Sequence, residues 1–261
     1  MKKRVKLYVN STKDYAKVLS NVIEEELLAQ GYDIVNENAD IVIGFGGDGT
    51  LLHFLRNNNY NAESCYIGVN CGTLGFLQDF NVTDIKKFVE GIPEYVEQKL
   101  PFITIEIENG AETVVYKALN EFVIQDDQDK TFRTELSVEE EFLENFVGTG
   151  IIFSTPTGST ALNLSAGGAI VHPNLEMIQI TPREAIANSK MHCLAKSICI
   201  PKGFDITLKP SSNSQIKVYS DGELVYLGQY EKIRIYYLTD GMMKLKDKKD
   251  NFIKTIRDKL I

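Results

Sequence analysis

Asp40-Ile-Val-Ile-Gly-Phe-Gly-Gly-Asp-Gly-Thr50 decides the reading of this chain, because an apolar run ends there in glycines gathered around one carboxylate. Leu51, Leu52, Phe54 and Leu55 follow at once in a helical pattern. The spacing predicts a strand, a glycine turn and a helix N-terminus. Together these make a phosphate cradle, since the unpaired N–H groups of a first helical turn face an anion and the helix dipole favours negative charge. Gly46, Gly47 and Thr50 are the phosphate-binding candidates. The turn carries no Lys, and Asp48 stands in its middle. A carboxylate beside bound phosphate is electrostatically unfavourable unless it does chemistry, so Asp48 is read as the base that takes a proton from an attacking hydroxyl.

Outward from this stretch the first part of the chain alternates. Lys6 to Val9 reads as a strand. Asp14 to Gln30 reads as an amphipathic helix with Tyr15, Val18, Leu19, Val22, Ile23 and Leu27 on its apolar face. Asp40 to Phe45 and Cys65 to Asn70 are continuous apolar strands, as a parallel sheet covered on both faces requires. Thr50 to Arg56 is helical, Cys71-Gly-Thr-Leu-Gly75 is a second glycine turn, and Val82 to Val89 is a short helix closed by Gly91 and Pro93. After Pro101 the period changes to two: Ile103 to Ile107, Ile216 to Tyr219 and Ile233 to Tyr237 alternate as half-buried antiparallel strands. One helical patch begins near Gly158, and Asn251 to Ile261 reads as a terminal helix. The expected fold class is an α/β N-terminal domain, a small doubly wound layer over residues 1–95, plus a β-rich C-terminal domain over 96–248. The C-terminal helix, in the tail 249–261, returns to the first domain.

The 261 residues carry a net charge of −8, with a sequence pI of about 5.1. An acidic chain argues against sequence-independent nucleic-acid binding and against docking on anionic membranes. Met1-Lys-Lys-Arg-Val lacks the apolar stretch of a signal peptide, no window has the length of a membrane span, and the chain is read as cytoplasmic. Cys65, Cys71, Cys193 and Cys199 lack zinc spacing and are read as buried reduced thiols. His53, His172 and His192 are scattered, and no metal site is expected.

Four further motifs stand out. Gly44-x-Gly46-x-x-Gly49 formally matches the dinucleotide fingerprint, but the following strand ends in Asn70 instead of an acidic residue, which disfavours a dehydrogenase. Asn120-Glu121 closes an apolar run and suits a ribose diol or an adenine edge; taken alone, a polar loop is the better explanation of the pair. Ser154-Thr-Pro-Thr-Gly-Ser-Thr-Ala-Leu-Asn-Leu-Ser-Ala-Gly-Gly168 crowds hydroxyls and small side chains into the start of a helix, where Thr157, Ser159 or Thr160 is a candidate cap. Tyr219-Ser-Asp-Gly-Glu223 carries a hairpin signal at Asp221-Gly222.

Together these motifs resemble the NAD kinase family. Gly46 to Thr50, Asn120-Glu121, Thr155 to Ala161 and Ser165 to Gly168 stand in the family's order and spacing. Gly68-Val-Asn-x-Gly-x-Leu-Gly-Phe76 extends the likeness to nearly the whole chain. The glycine block alone is shared with diacylglycerol and sphingosine kinases. The resemblance implies transfer of the terminal phosphoryl of ATP, carried with a divalent metal (Mg²⁺), to the 2′-hydroxyl of the adenosine ribose of NAD. It also implies a substrate cleft between the domains and a homodimer or homotetramer. It makes Asp48 the catalytic base and sets Gly49 against the substrate. Asn120 and Glu121 hold the adenosine half, Thr160, Ala161 and Ser165 line the dinucleotide pocket, and Asp221 gains a substrate role.

The chain departs from the family's pattern at Val147 and Thr149, where many relatives carry Arg and Asp, and at Leu162, where many carry Tyr. These departures make Thr149 a position of substrate preference and leave NADH open as acceptor beside NAD. Phe76 and Tyr219 are candidates to fill the altered pocket. Two alternatives stand beside this reading. A soluble lipid kinase wants an apolar acceptor groove, which the hydroxyl-rich segment opposes. A non-catalytic dinucleotide sensor has no use for Asp48.

Overall fold

The parallel sheet expected from the buried apolar runs is present. The computed structural model describes residues 3–9, 14–60, 63–72, 75–186, 193–211, 215–248 and 252–261. Met1, Lys2, Thr73, Leu74, His192 and Asn251, which figure in the sequence reading, lie outside the described residues. Met1–Leu100 with Gly241–Ile261 form one unit and Pro101–Asp240 a second.

In the first unit β1 (Arg4–Val9), α1 (Asp14–Ala29), β2 (Asp33–Ile34), β3 (Ile41–Gly46), α2 (Asp48–Asn57), β4 (Cys65–Asn70) and α3 (Ile85–Gly91) follow one another. The strands pair in parallel in the order β2-β1-β3-β4, with Val5 beside Ile41 and Ile41 beside Cys65. Every residue of β3 is buried, as cover on both faces demands. α1 buries Ala16, Leu19, Ile23 and Leu27. Tyr15, Val18 and Val22, expected on that face, are 59, 62 and 42% exposed. The two rows both satisfy the helical period and lie one residue apart; the row containing the small Ala16 is the one that faces the sheet.

Two helix starts differ from expectation. α2 opens at Asp48 instead of Thr50, with Gly47 as its N-cap, so the glycine turn is nearly all strand end and helix start. α3 begins at Ile85 instead of Val82, because the Asp84 carboxylate accepts from Lys87 N at 3.0 Å and fixes the first turn.

The second unit holds β5 (Val96–Asn109), β6 (Glu112–Ala118), β7 (Glu121–Asp126), β8 (Phe132–Val138), β9 (Glu141–Gly148), β10 (Gly150–Ser154), the short α4 (Leu162–Ser165), β11 (Met177–Arg183), β12 (Ile198–Pro201), β13 (Ile206–Pro210), β14 (Ile216–Ser220), β15 (Glu223–Gly228) and the start of β16 (Lys232–Lys246). Six strands form an antiparallel sheet in the order β12-β11-β10-β7-β14-β15. The other strands of this unit make the antiparallel pairs β5–β6, β8–β9, β13–β8 and β13–β16. Ile103, Phe122, Phe153, Ile206 and Ile235 belong to the core of this unit. Thr104 is 2% exposed, so the alternating strand around it is covered on both faces instead of one.

The chain then returns to the first unit. Lys244 in β16 pairs in parallel with Tyr66 in β4, and Leu245 joins the core of Val5, Ile43 and Ile67. α5 (Phe252–Leu260) completes this unit. All four cysteines are free, but only Cys71 is buried. Cys199, expected inside, is exposed on β12, an edge strand. Among the described residues no helix is long and apolar enough to cross a membrane.

Candidate active site

The glycines around Asp48 divide into two kinds. A β-carbon on Gly44 would lie 1.9 Å from the Tyr66 hydroxyl, and one on Gly68 would lie 2.3 Å from Gln78 Oε1, so these two are demanded by packing. A β-carbon on Gly47 or Gly49 would meet nothing within 4 Å. Packing does not explain those two; open backbone at a helix N-terminus, available to an anion, does. Gly46 closes β3 and is buried, while Thr50 is 1% exposed and its hydroxyl has no hydrogen-bond partner. The open face of the turn is therefore Gly47 to Gly49.

Asp48 is held by the two residues that follow Gly75. Its Oδ2 accepts from Phe76 N at 3.0 Å and its Oδ1 from Leu77 N at 2.9 Å. Lys259 Nζ, from α5, lies 3.3 Å from Oδ2. The same ammonium lies 4.8 Å from the centroid of the Phe76 ring, and Phe252 sits against that ring at 6.3 Å. Phe76 thus presents its amide to Asp48 and its ring to α5.

Behind the turn a polar layer is buried. Gln78 Nε2 donates to Gly47 O at 2.9 Å and to the Tyr66 hydroxyl at 3.3 Å. Lys244, 2% exposed, forms an ion pair with Asp79 at 2.7 Å. Burial raises the Asp79 carboxyl above its usual range and Lys244 opposes that rise. Burial also pushes the Tyr66 phenol up.

In the second unit Asn120 and Glu121 are fixed by a carboxylate remote in sequence. Asp221 accepts from Leu119 N at 2.9 Å, Asn120 N at 2.7 Å and Glu121 N at 3.2 Å. The Asp221-Gly222 hairpin is present, with φ of +48° and +88°, the geometry of a type I′ turn. Asp221 is 6% exposed, and these three backbone bonds position Asn120 and Glu121. Glu121 is 5% exposed and its Oε2 has no hydrogen-bond partner. Burial, and then the Asp221 charge, push its carboxyl up to about 8. At neutral pH it is mostly protonated, and a protonated carboxyl can both donate and accept a hydrogen bond.

The hydroxyl-rich segment is mostly structural. Thr155 Oγ1 donates to Leu119 O at 2.6 Å and accepts from Gly158 N at 3.0 Å, and a β-carbon on Gly158 would lie 2.1 Å from Asn120 O. Ser159 donates to Pro156 O at 2.7 Å and accepts from Val171 N at 3.0 Å. Asn163 donates to Gln179 at 2.8 Å and accepts from Thr181 at 2.6 Å. Thr157, Ser159 and Thr160, the candidate caps, do not cap the 3-10 turn Thr157–Thr160 or α4; the hydroxyl that takes a first-turn amide is that of Thr155, on Gly158 N. The Ser159 hydroxyl is taken by the Val171 segment, and Thr157 Oγ1 is buried without a partner. Thr160 and Ala161 are half-buried and Ser165 is exposed, so these three keep an open side.

Thr149 lies at the corner between β9 and β10. Its hydroxyl donates to Arg183 O at 3.3 Å and its N–H to the same oxygen at 3.0 Å. Its neighbours Gly148 and Gly150 would each place a β-carbon under 3 Å from a carbonyl oxygen, of Arg183 and Ile124 respectively. Tyr219 is half-buried on β14.

Sequence reasoning missed Lys259, the Lys244–Asp79 pair, Gln78 and the positioning work of Asp221. Lys259 sits in a charged terminal helix and carries no local mark that separates it from a solvated Lys. A lone Lys inside the apolar Met242-Met243-Lys244-Leu245 run is a signal that could have found Lys244.

A carboxylate pinned beside open glycines at a helix N-terminus, on a parallel α/β unit followed by an antiparallel β unit, marks a nucleotide-dependent phosphotransferase. More narrowly, the chain belongs to the ATP-NAD kinase family: residues 2–99 match the family's N-terminal domain and residues 119–253 its C-terminal domain. NAD kinase 1 of Bacillus cereus is 32% identical over 248 residues, covering 93% of this chain and 93% of that protein. The NAD kinase of Finegoldia magna is 29% identical over 270 residues, covering 99% and 98%. Among solved structures, a yeast NADH kinase complexed with NADH matches with a TM-score of 0.84 at 19% identity, covering 99% of this chain and 87% of that one. An Archaeoglobus fulgidus NAD kinase in complex with ATP matches with a TM-score of 0.78 at 22% identity, covering 98% and 99%. These two likenesses bear on the fold, which has the same two-part build.

Proposed function

We propose that this chain transfers the terminal phosphoryl group of ATP to the 2′-hydroxyl of the adenosine ribose of NAD, giving NADP. The observation that carries this reading is the Asp48 carboxylate, fixed by the amides of Phe76 and Leu77 at the N-terminus of α2, beside two glycines whose β-carbon positions are open. A sugar hydroxyl is a poor nucleophile at neutral pH, and a fixed carboxylate accepts its proton as the bond to phosphorus develops. The hydroxyl oxygen bonds to the γ-phosphorus, the bond from that phosphorus to the ADP oxygen breaks, and ADP leaves with the electron pair. The proton passes from Asp48 to water. The amides of the Gly47–Gly49 face oppose the charge on the transferring group.

Asn120 and the protonated Glu121 hold the adenosine half, with Glu121 donating to one ribose or adenine acceptor. Thr160, Ala161 and Ser165 line the dinucleotide pocket. Among the described residues no three His, Cys, Asp or Glu side chains cluster as metal ligands. A Mg²⁺ ion arriving with ATP would supply charge neutralisation at the transferring phosphates. The family reading also carries a cytoplasmic location and assembly as a homodimer or homotetramer, which size-exclusion chromatography with light scattering tests.

Incubation with ATP, Mg²⁺ and NAD, followed by detection of NADP with an NADP-specific dehydrogenase, tests the reaction. A parallel incubation with NADH reads the acceptor preference assigned to the Thr149 corner. NADP formation from NAD is the expected result. No product from either acceptor, with dinucleotide still bound, would favour a sensor and overturn the reading.

A further inference from the structure

The glycine turn brings no cation of its own between Gly46 and Thr50, yet one reaches it from the end of the chain. Lys259 stands in the last turn of α5, with Nζ 3.3 Å from Asp48 Oδ2 and 4.8 Å from the Phe76 ring centroid. Phe252 is two helical turns earlier on α5 and touches the same ring, so one face of the helix is seated on Phe76. Arg257 is paired with Asp258 at 2.8 Å, and Lys244 with Asp79 at 2.7 Å. Among the described residues, Lys259 is the cation that meets the open turn at its carboxylate.

We propose that Lys259 is the phosphate-directed cation of this kinase. It holds Asp48 before nucleotide arrives, then turns to the γ-phosphoryl oxygens at the Gly47–Gly49 face and leaves Asp48 Oδ2 to the acceptor hydroxyl. The proposal rests on the NAD kinase reading given above. Three features support it. Both partners are about a third exposed (37 and 29%), so the pair is weak and separates readily. A Lys ammonium carries three donors on a flexible four-carbon stem, so it serves a carboxylate and a phosphate oxygen in turn, without the fixed fork of an Arg. In phosphoryl transfer the charge spreads over the equatorial oxygens, and the protein's part is to place positive charge there. The hydroxyl proton goes to Asp48, and ADP leaves with the electron pair of the broken bond.

Steady-state kinetics on the full chain test this with Lys259→Ala, Lys259→Arg and the packing control Phe252→Ala. In Lys259→Ala we expect kcat to fall about 10- to 100-fold and KM for ATP to rise, with KM for NAD unchanged. Added methylammonium should restore part of the rate, and Lys259→Arg, which keeps the charge on a rigid fork, should keep more of the rate than Lys259→Ala but less than wild type. Phe252→Ala should show no rescue by amine. Wild-type kcat and KM for ATP in Lys259→Ala would overturn the proposal. A rate above wild type, which would make Lys259 an inhibitory clasp, would do the same. So would a loss that amine does not relieve and that Phe252→Ala reproduces. None of these results touches the NAD kinase reading, which fails separately if the wild-type chain makes no NADP.

Discussion

A β-carbon on Gly75 would sit 2.1 Å from Asp48 Oδ1, so these two residues fit together only because the second glycine turn has no side chain there. Phe76 and Leu77, directly after it, supply two amides to the carboxylate, and Gly75 leaves it room.

Gly75→Ala should push Asp48 off Phe76 N and Leu77 N. Misplacement of a catalytic group by about an ångström costs roughly 100-fold in rate, so kcat should fall on that order. Overpacking at the contact should cost about 1–3 kcal/mol of stability. Kinetics and urea denaturation of the same preparation check both, and wild-type kcat in this variant would show that the carboxylate has slack.

Asp48→Asn faces a double difficulty. Both Asp48 oxygens accept from backbone N–H groups, so an Asn must turn its NH₂ toward one donor or leave that donor unpaired. NAD binding should persist while kcat falls about 10²- to 10⁴-fold. Calorimetric NAD titration beside turnover measurements separates the two, and near-wild-type turnover would remove Asp48 from the chemistry.

Glu121 gives a pH signature. Its carboxyl sits near 4.5 when unfolded and is raised to about 8 in the folded chain, by burial first and by Asp221 second. The folded state therefore holds a proton that the unfolded state releases. Stability from this group is complete below pH 4.5 and is lost as pH rises toward 8, at a slope of up to about 1.4 kcal/mol per pH unit. Glu121→Gln should flatten that slope. Urea midpoints measured at several pH values across the window check it, and identical slopes in both proteins would contradict the raised carboxyl.

Removing the Asp221 carboxylate unhooks three amides at once. Asp221→Ala leaves the N–H groups of Leu119, Asn120 and Glu121 without that acceptor and also places Ala at a φ of +48°. A loss of about 3 kcal/mol or more is expected, since each stranded buried donor costs about 1–3 kcal/mol. Asp221→Asn keeps one oxygen and tolerates positive φ, so it should lose less. A raised KM for NAD should accompany both. Equal stability of the Ala variant and wild type would show that other acceptors replace the carboxylate.

The strand–turn–helix at Asp48 was legible because its signal is local: an apolar run, open glycines and a helical period. β4 was found at its full extent, Cys65–Asn70, for the same reason. The α1 face was misread because two neighbouring rows both carry apolar side chains, and only tertiary packing chooses between them. The contacts that finish the site are remote. Asp48 is fixed from 28 and 29 residues away and met by a cation 211 residues away, while Asp221 reaches back 100 to 102 residues. No local pattern encodes such meetings. Departure at Thr149 was visible in the sequence, but the satisfaction of its hydroxyl by Arg183 O was not.

Because the unit that holds β1 also includes Gly241–Ile261, it is left unfinished throughout vectorial synthesis until those residues emerge from the ribosome. The middle of the chain, Pro101–Asp240, is fully synthesised before then, whereas folding during synthesis generally proceeds from the N-terminus. A nascent or prematurely stopped polypeptide would carry Asp48 without Lys259 opposite it, and would lack the end of β16 that pairs with β4.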